Sequence, residues 1–554
     1  MNVLVIDFQI PHLPRIEHKS LNYRYIGKPY TDWDSFIDKE FSNIFEKVTY
    51  DLIVLPYSLS NNYFEFSGIR AAAHIRCTSN WHNTHTPILF WGNEDASIVS
   101  RYDKLGILLF SQGTRLFNGT DLLSWLSEHS NSIQPMTKNE YLETLDKLSI
   151  KAPKSLGGRH SIANLWCVLR WSEMMQIQTK DTTLQSSIYY KYERSRSGDT
   201  EPFKRKWLKN KGQNIPKIVE PPKGKGKWKI AYIDDEYLFW FPLLSVIAPK
   251  EYADIICFSD FRQIDSQEIL LKKIEMFIAK QDADCYIVDL RLHHCDFEEN
   301  HEKLTGHLVG ECITNNNRAN QIVYFTASNK IWNYFYTRSE NRQFELAIKE
   351  SPDLHYNMNQ TYSNYIQFVS SLNLALKDSY IKTYLHELQV IGCTKLSGFI
   401  DLLLLYQRNK KLVLPSIILS EIVFIEEYLK TKYSISVGTI TNEDSNEQYK
   451  VSDLIVCKSE KSNGYSSVTM VKFVDRKQLY PGYEKLGENT DIYRIVAPLR
   501  YVYHFPERLI NLVVKAKYIR NTRIAHASGI VDFNLEEVKE IFEEIILKIL
   551  KNDR

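Results

Sequence analysis

The sequence predicts an α/β plus all-α protein: two doubly wound parallel sheets, a helical linker, and a C-terminal helical bundle with a β-rich insertion. Three observations predict it. Short, wholly apolar runs that end in polar residues occur near the N-terminus and again between 229 and 352, as strands buried on both faces do. Apolar residues then recur at helical spacing from 353 to the end. Between 437 and 474 that spacing gives way to strand-like runs, with turns at Asn442-Glu443-Asp444 and Ser462-Asn463-Gly464.

The 554 residues are 44% hydrophobic and 25% charged, with a formal net charge of +2, a globular balance that calls for no obligatory acidic partner. None of the eight cysteines stands in a CxxC pair, and several sit in apolar runs, as buried free thiols do. The longest apolar run, 399–406, is broken by Asp401 and is too short to cross a bilayer. Met1-Asn2-Val3-Leu4 opens a strand rather than a signal peptide. The expectation is a cytoplasmic protein with no membrane contact.

In the N-terminal segment, 1–130, strands are expected at Val3-Leu4-Val5-Ile6-Asp7, Leu52-Ile53-Val54-Leu55, Ile88-Leu89-Phe90-Trp91 and Gly106-Ile107-Leu108-Leu109-Phe110, with a helix over 67–76. Segment 137–200 reads as a helical linker, with an amphipathic run over 161–175 behind His160. Segment 201–228 reads as a basic tether. Up to Lys229 it carries ten Lys or Arg against two Glu, with Pro216, Pro221 and Pro222. A solvated tether is the plain reading; a nucleic-acid contact with Trp207 and Trp228 stacking is the other.

Segment 229–352 carries the chemistry. Lys229-Ile230-Ala231-Tyr232-Ile233 ends at Asp234-Asp235-Glu236, and Cys285-Tyr286-Ile287-Val288 ends at Asp289. Gln321-Ile322-Val323-Tyr324-Phe325 ends at Thr326, and Ala347-Ile348 leads to Lys349. Strand ends at the carboxyl edge of an open α/β sheet are where ligands bind. The set delivers three acids, a hydroxyl and an amine. It suits phosphoryl transfer to a carboxylate: acids for a hard cation such as Mg2+, an aspartate nucleophile, and a hydroxyl and ammonium for the phosphoryl oxygens.

With its gaps of 54, 37 and 23 positions between Asp235, Asp289, Thr326 and Lys349, this segment resembles the receiver domain of two-component response regulators. The resemblance implies a flavodoxin-like fold, with Asp234, Asp235, Asp289 and the backbone carbonyl of Arg291 as Mg2+ ligands. It implies Asp289 as phosphoacceptor for a partner sensor histidine kinase, Thr326 as switch hydroxyl and Lys349 as phosphate-binding lysine. Leu346 replaces the family's switch aromatic, and Glu350 its proline. The N-terminal segment resembles a pseudo-receiver of the same fold. There Phe8 breaks the acid pair after Asp7, Leu55 or Pro56 stands at the phosphoacceptor position, Gly92 at the hydroxyl and Ser111-Gln112 at the lysine. His160-Ser161-Ile162-Ala163-Asn164 faintly resembles the H-box of histidine kinases; a helix-start histidine without chemistry is the plainer reading.

In 353–554, helices are expected over 362–377, 379–390, 396–407, 415–432, 492–503 and 506–520, and from the Asn534 N-cap to Leu550. Arg520-Asn521-Thr522-Arg523-Ile524-Ala525-His526 resembles the signature of HEPN domains, helical bundles often found as metal-independent ribonucleases. The resemblance implies Arg520, Asn521 and His526 as catalytic residues at a homodimer interface, with RNA as substrate and Lys515, Lys517 and Arg523 beside its backbone. In an unbroken helix Arg520 and His526 lie about 120° apart, so the helix must end or distort near Thr522 for them to meet. The order of parts resembles components of antiphage defence two-component systems. Two functions follow: a response regulator whose phosphorylation gates a ribonuclease, or a non-catalytic phosphate sink or scaffold acting on another effector.

Overall fold

The computed structural model describes residues 2–7, 21–26, 32–58, 65–79, 81–129, 132–153, 159–177, 183–198, 215–261, 264, 266–297, 303–327, 344–406, 410–462, 465–475, 481–524 and 533–553. They fall into two compact units, the first holding both parallel sheets and the second the helices from Lys377 onward.

The first sheet is built from β1 (Val3–Asp7), β2 (Leu21–Tyr25), β3 (Leu52–Pro56), β4 (Ile88–Trp91) and β5 (Thr114–Phe117), in the order β2-β1-β3-β4-β5 and parallel throughout. Alternate side chains leave opposite faces of a strand. Leu4, Ile6, Ile53, Leu55, Ile88 and Phe90 accordingly enter one core, and Val3, Val5, Leu52, Val54, Leu89 and Trp91 another. The sheet is buried on both faces, which is why its strands read as unbroken apolar runs. Helices α1 (Trp33–Phe45), α2 (Ser67–Cys77), α3 (Ala96–Tyr102) and α4 (Leu122–His129) complete this domain.

One expected strand is wrong. Gly106–Phe110 lies within a 3-10 helix, Lys104–Phe110, and β5 comes later, at Thr114–Phe117. Asp103 starts that helix by accepting from the Leu105 N–H at 2.7 Å. Gly106 fits only because it lacks a side chain: a Cβ there would fall 2.6 Å from Ser100 Cα. A five-residue apolar run satisfies a buried helix as well as a strand.

The linker is helical, as α5 (Lys138–Lys147), α6 (Arg159–Met175), α7 (Thr183–Ser186) and α8 (Ile188–Arg196), but it belongs to its neighbours' cores. Tyr141, Leu145, Ile188 and Tyr192 enter the core of the first sheet, whereas Cys167, Val168, Trp171 and Met174 enter that of the second. His160 lies in the first turn of α6. The expected tether is not solvated in its second half. Ile218 is buried and donates to the Ile247 carbonyl at 3.0 Å, and Trp228 Nε1 donates to the Val219 carbonyl at 2.9 Å. The apolar Ile215, Ile218 and Val219 gain more from the core than from water. Trp207 lies outside the described residues.

The second sheet is formed by β6 (Trp228–Ile233), β7 (Ala253–Cys257), β8 (Cys285–Val288), β9 (Gln321–Thr326) and β10 (Phe344–Ile348), ordered β10-β9-β8-β6-β7. Counted from its own first strand this is the order of the first sheet, and the paired registers are parallel. Helices α9 (Tyr237–Ile247), α10 (Gln267–Lys280), α11 (Thr305–Asn316) and α12 (Met358–Asp378) follow in chain order. One face of the sheet, carrying Ile230, Tyr232, Cys285, Ile287, Val323, Phe325 and Ala347, packs in a single core with residues of α6, α9 and α12.

The second unit contains α13 (Tyr380–Ile391), α14 (Ser397–Tyr406), α15 (Lys410–Lys432), α16 (Asp491–Tyr501), α17 (Glu507–Ile519), α18 (Leu535–Ile541) and α19 (Leu547–Asn552). Asn534 caps α18 by accepting from Glu537 N–H at 3.0 Å, while Glu537 accepts from Asn534 N–H. The β-rich insertion is longer than the expected 437–474. It forms two three-stranded sheets, β11 (Tyr433–Ser436) with β12 (Thr439–Asn442) and β13 (Gln448–Lys450), then β14 (Leu454–Ser462) with β15 (Tyr465–Val474) and β16 (Glu484–Lys485). Among the described residues no helix is long and apolar enough to cross a membrane.

Candidate active site

Period two explains how the second sheet assembles its corner. Asp234 is two residues beyond Tyr232, Asp289 two beyond Ile287, and Lys349 two beyond Ala347. All three continue the strand face that packs with α6, α9 and α12. Asp234, Asp289, Thr326 and Lys349 are fully buried, while Asp235 is exposed. Lys349 Nζ donates to Asp234 Oδ2 at 2.7 Å and to Asp289 Oδ2 at 2.6 Å. Arg291 N–H reaches Asp289 Oδ1 at 3.2 Å, and the Lys349 N–H donates to the Thr326 carbonyl at 2.9 Å. The structure thus brings Asp234, Asp235, Asp289, Arg291, Thr326 and Lys349 to one sheet edge.

Oxygen atoms of Asp234, Asp235 and Asp289 lie within 4.8 Å of one another. Burial pushes the Asp234 carboxyl above its ordinary range; Lys349 opposes that shift, and Asp289 and Asp235 add to it. For Lys349 burial works against the charge, but Asp234 and Asp289 outweigh it and raise the ammonium pKa. Three carboxylates face one ammonium, a deficit of positive charge that the Arg291 guanidinium near Asp289 offsets only in part. An all-oxygen donor set with that deficit fits a hard divalent cation such as Mg2+.

Sequence reasoning missed three supports of this corner. Tyr232 donates its hydroxyl to Asp234 Oδ2 at 2.5 Å; its place two residues before Asp234 was the available signal. Asp296 is buried and fixes the loop after Asp289 by accepting from the N–H groups of Leu292, His293 and Thr305. An aromatic floor lies under Lys349, whose Nζ is 5.6 Å from the Trp240 ring and 5.4 Å from that of Phe325. Trp171 of α6 packs 5.4 Å from both rings.

The first sheet has the same frame with different contents. Gly68, second residue of α2, lies so close to β3 that a Cβ would fall 1.7 Å from the Pro56 carbonyl oxygen; at Gly306, second residue of α11, a Cβ would fall 1.9 Å from that of Asp289. This equivalence puts Pro56, not Leu55, at the Asp289 position. Tyr57 is buried with its ring against Gly92, where a Cβ would fall 1.6 Å from a ring carbon. Because β5 ends at Phe117, Asn118 and not Ser111-Gln112 follows the fifth strand. A charged cluster lies elsewhere in the domain, among α1, α2 and α8. Asp34 accepts from Arg70 at 2.6 and 2.8 Å and pairs with His74 Nε2 at 3.0 Å, while Lys191 contacts His74 Nδ1 at 3.2 Å and is bonded to Asp38. Burial, then Lys191, pull the His74 pKa down to about 4 against the pull of Asp34.

In the second unit Arg520 begins a π-helical turn, Arg520–Ile524, so the chain does distort around Thr522. Arg520 Nη1 donates to Glu426 Oε2 at 2.7 Å. Lys517 is buried and bonded to the other Glu426 oxygen, Lys515 donates to Glu537 at 2.6 Å, and Asn521 is exposed. His526 lies outside the described residues, as does the side chain of Arg523.

The family model for the inactive receiver domain matches residues 17–117. The N-terminal domain is receiver-like. Its match fits the acid-free end of β3 and the ring of Tyr57 against Gly92. No curated protein matches the chain.

Proposed function

We propose that this is a response regulator in which the second sheet is an active receiver, phosphorylated on Asp289 by a partner sensor histidine kinase. The observation that carries the reading is Lys349 held between Asp234 and Asp289 with Asp235 alongside. Asp289 attacks phosphorus, the donor's leaving group departs with the bonding pair, and an acyl phosphate remains. Lys349 then exchanges a carboxylate partner for a phosphoryl oxygen, and the Thr326 hydroxyl turns to another. Asp234, Asp235, Asp289 and the Arg291 carbonyl would hold Mg2+, which supplies charge neutralisation when bound. The receiver-like N-terminal domain is a docking or regulatory partner without phosphate chemistry.

The C-terminal bundle is the output. In the first reading it is a HEPN-type ribonuclease of antiphage defence, using Arg520, Asn521 and His526 across a homodimer. The second reading, a scaffold or phosphate sink, draws support from Glu426, whose two oxygens are already engaged by Arg520 and Lys517. One experiment addresses both. Full-length protein with acetyl phosphate and Mg2+ is expected to gain one base-labile phosphoryl group, lost in Asp289→Asn; label retained by that variant sinks the receiver reading. RNA cleavage that follows phosphorylation and vanishes in His526→Ala supports the ribonuclease, and its absence leaves the scaffold.

A further inference from the structure

Tyr232 has no part in the phosphoryl-transfer scheme, yet it is fully buried and bonded to a proposed metal ligand. Its hydroxyl donates to Asp234 Oδ2 at 2.5 Å, and Lys349 Nζ donates to the same oxygen at 2.7 Å. Asp234 Oδ1 accepts from the Glu236 N–H at 2.8 Å. Each carboxylate oxygen offers two lone pairs. Oδ2 is therefore saturated, and the one lone pair Asp234 retains is on Oδ1.

We infer that Tyr232 is a positioning residue that withholds Asp234 Oδ2 from a divalent cation, leaves Oδ1 as the oxygen on offer, and so weakens cation binding at this corner. The inference rests on the receiver reading above. The bond from Tyr232 is charge-assisted and sits where water cannot replace it, so drawing Oδ2 into a metal's coordination sphere means breaking it without compensation. A phenylalanine ring fills nearly the same volume and imposes no such cost. Without metal, the hydroxyl does the reverse: it supports the charge of a carboxylate that burial disfavours. One hydroxyl thus stabilises the metal-free corner and lowers its appetite for metal.

The test uses Mg2+ alone as probe on the full-length protein, with thermal midpoints recorded across a Mg2+ titration and dissociation constants taken from their dependence on free ion. Wild type is expected to show a Mg2+-dependent rise that Asp235→Ala removes. Tyr232→Phe is expected to melt lower without Mg2+, to gain more from it, and to bind it about tenfold more tightly, the scale of one hydrogen bond to a charged group. A purely structural tyrosine would lower the metal-free midpoint without moving the dissociation constant. An unchanged or raised constant in Tyr232→Phe, with Asp235→Ala still abolishing the response, overturns this inference and spares the receiver reading. Wild type without any Mg2+ response overturns both. Should Tyr232→Phe fold only when Mg2+ is present, the constant taken from its Mg2+-dependent refolding decides in the same way, tighter than wild type supporting the inference and equal or weaker overturning it; if it stays unfolded in saturating Mg2+, the role is structural and the inference falls.

Discussion

At the end of its third strand the first sheet carries Pro56, and the second carries Asp289. Around those residues the two sheets share two features of their frame. Strand order is shared, and each following helix brings a glycine close, Gly68 against the carbonyl of Pro56 at the end of β3 and Gly306 against that of Asp289 just past β8. The side chains in the corner are what differ. In the second sheet a lysine bridges two carboxylates; in the first the Tyr57 ring lies against Gly92. The comparison teaches that this fold keeps its frame through backbone packing and can exchange its chemistry at a few strand-end positions. The first domain still buries charge, but it does so among helices, at Asp34, His74 and Lys191.

The sharpest way to break the comparison is to remove the lysine. Lys349→Met leaves two fully buried carboxylates without their ammonium and is expected to cost about 3–5 kcal/mol, read as the shift of the urea midpoint of the first unit. Added Mg2+ is expected to recover part of that loss. A Lys349→Met protein as stable as wild type would mean that the corner is not an electrostatic assembly.

Acid separates the two domains next. His74 titrates near 4 in the folded chain against an ordinary 6.5, so between those values the unfolded chain binds the extra proton. Its contribution is full above pH 6.5 and is lost as pH falls towards 4, up to about 3 kcal/mol. The Asp34 carboxyl, which burial alone would raise, is held well below the usual range by His74 and Arg70, so its contribution is lost only in stronger acid. Hydrogen exchange at pH 7 and pH 5 is expected to show amides of α1 and α2 losing protection at pH 5, with a smaller loss in His74→Gln. Equal losses in the variant would remove His74 as the cause.

The smallest effect tests the shared frame. Gly68→Ala and Gly306→Ala each drive a methyl into strand backbone and are expected to cost about 1–3 kcal/mol, measured by denaturant unfolding. If one variant loses stability and the other does not, the two corners are not equivalent.

Much of this was legible in the sequence. The second corner was readable because polar residues end apolar runs at Asp234, Asp289, Thr326 and Lys349, and period two then fixes which side chains share a face. The acid-free end of β3 was readable from the residues that stand there, but the lysine position was not, because Asn118 and not Ser111-Gln112 follows the fifth strand. Tyr232 was not foreseen, because a tyrosine in an apolar run looks like core, and its hydroxyl acquires meaning only once Asp234 and Lys349 are seen together. The strand expected at Gly106–Phe110 failed because five apolar residues carry no period of their own. That α6 packs on the second sheet was invisible, since Trp171 meets Phe325 and Tyr365 across more than 150 positions of chain.

That placement of α6 bears on how the protein is made. Trp166 and Trp171 leave the ribosome well before the strands and helix that cover Trp171, and the last of these, α12, is completed about 200 residues later. At ordinary elongation rates the wait is about 10–40 s, with the Trp171 ring and its apolar neighbours uncovered, whereas Trp166 meets Tyr190 of α8 far sooner. The nascent chain therefore carries that aromatic face uncovered until α12 is made, and a fragment that begins at the second sheet would expose the apolar surface that α6 covers.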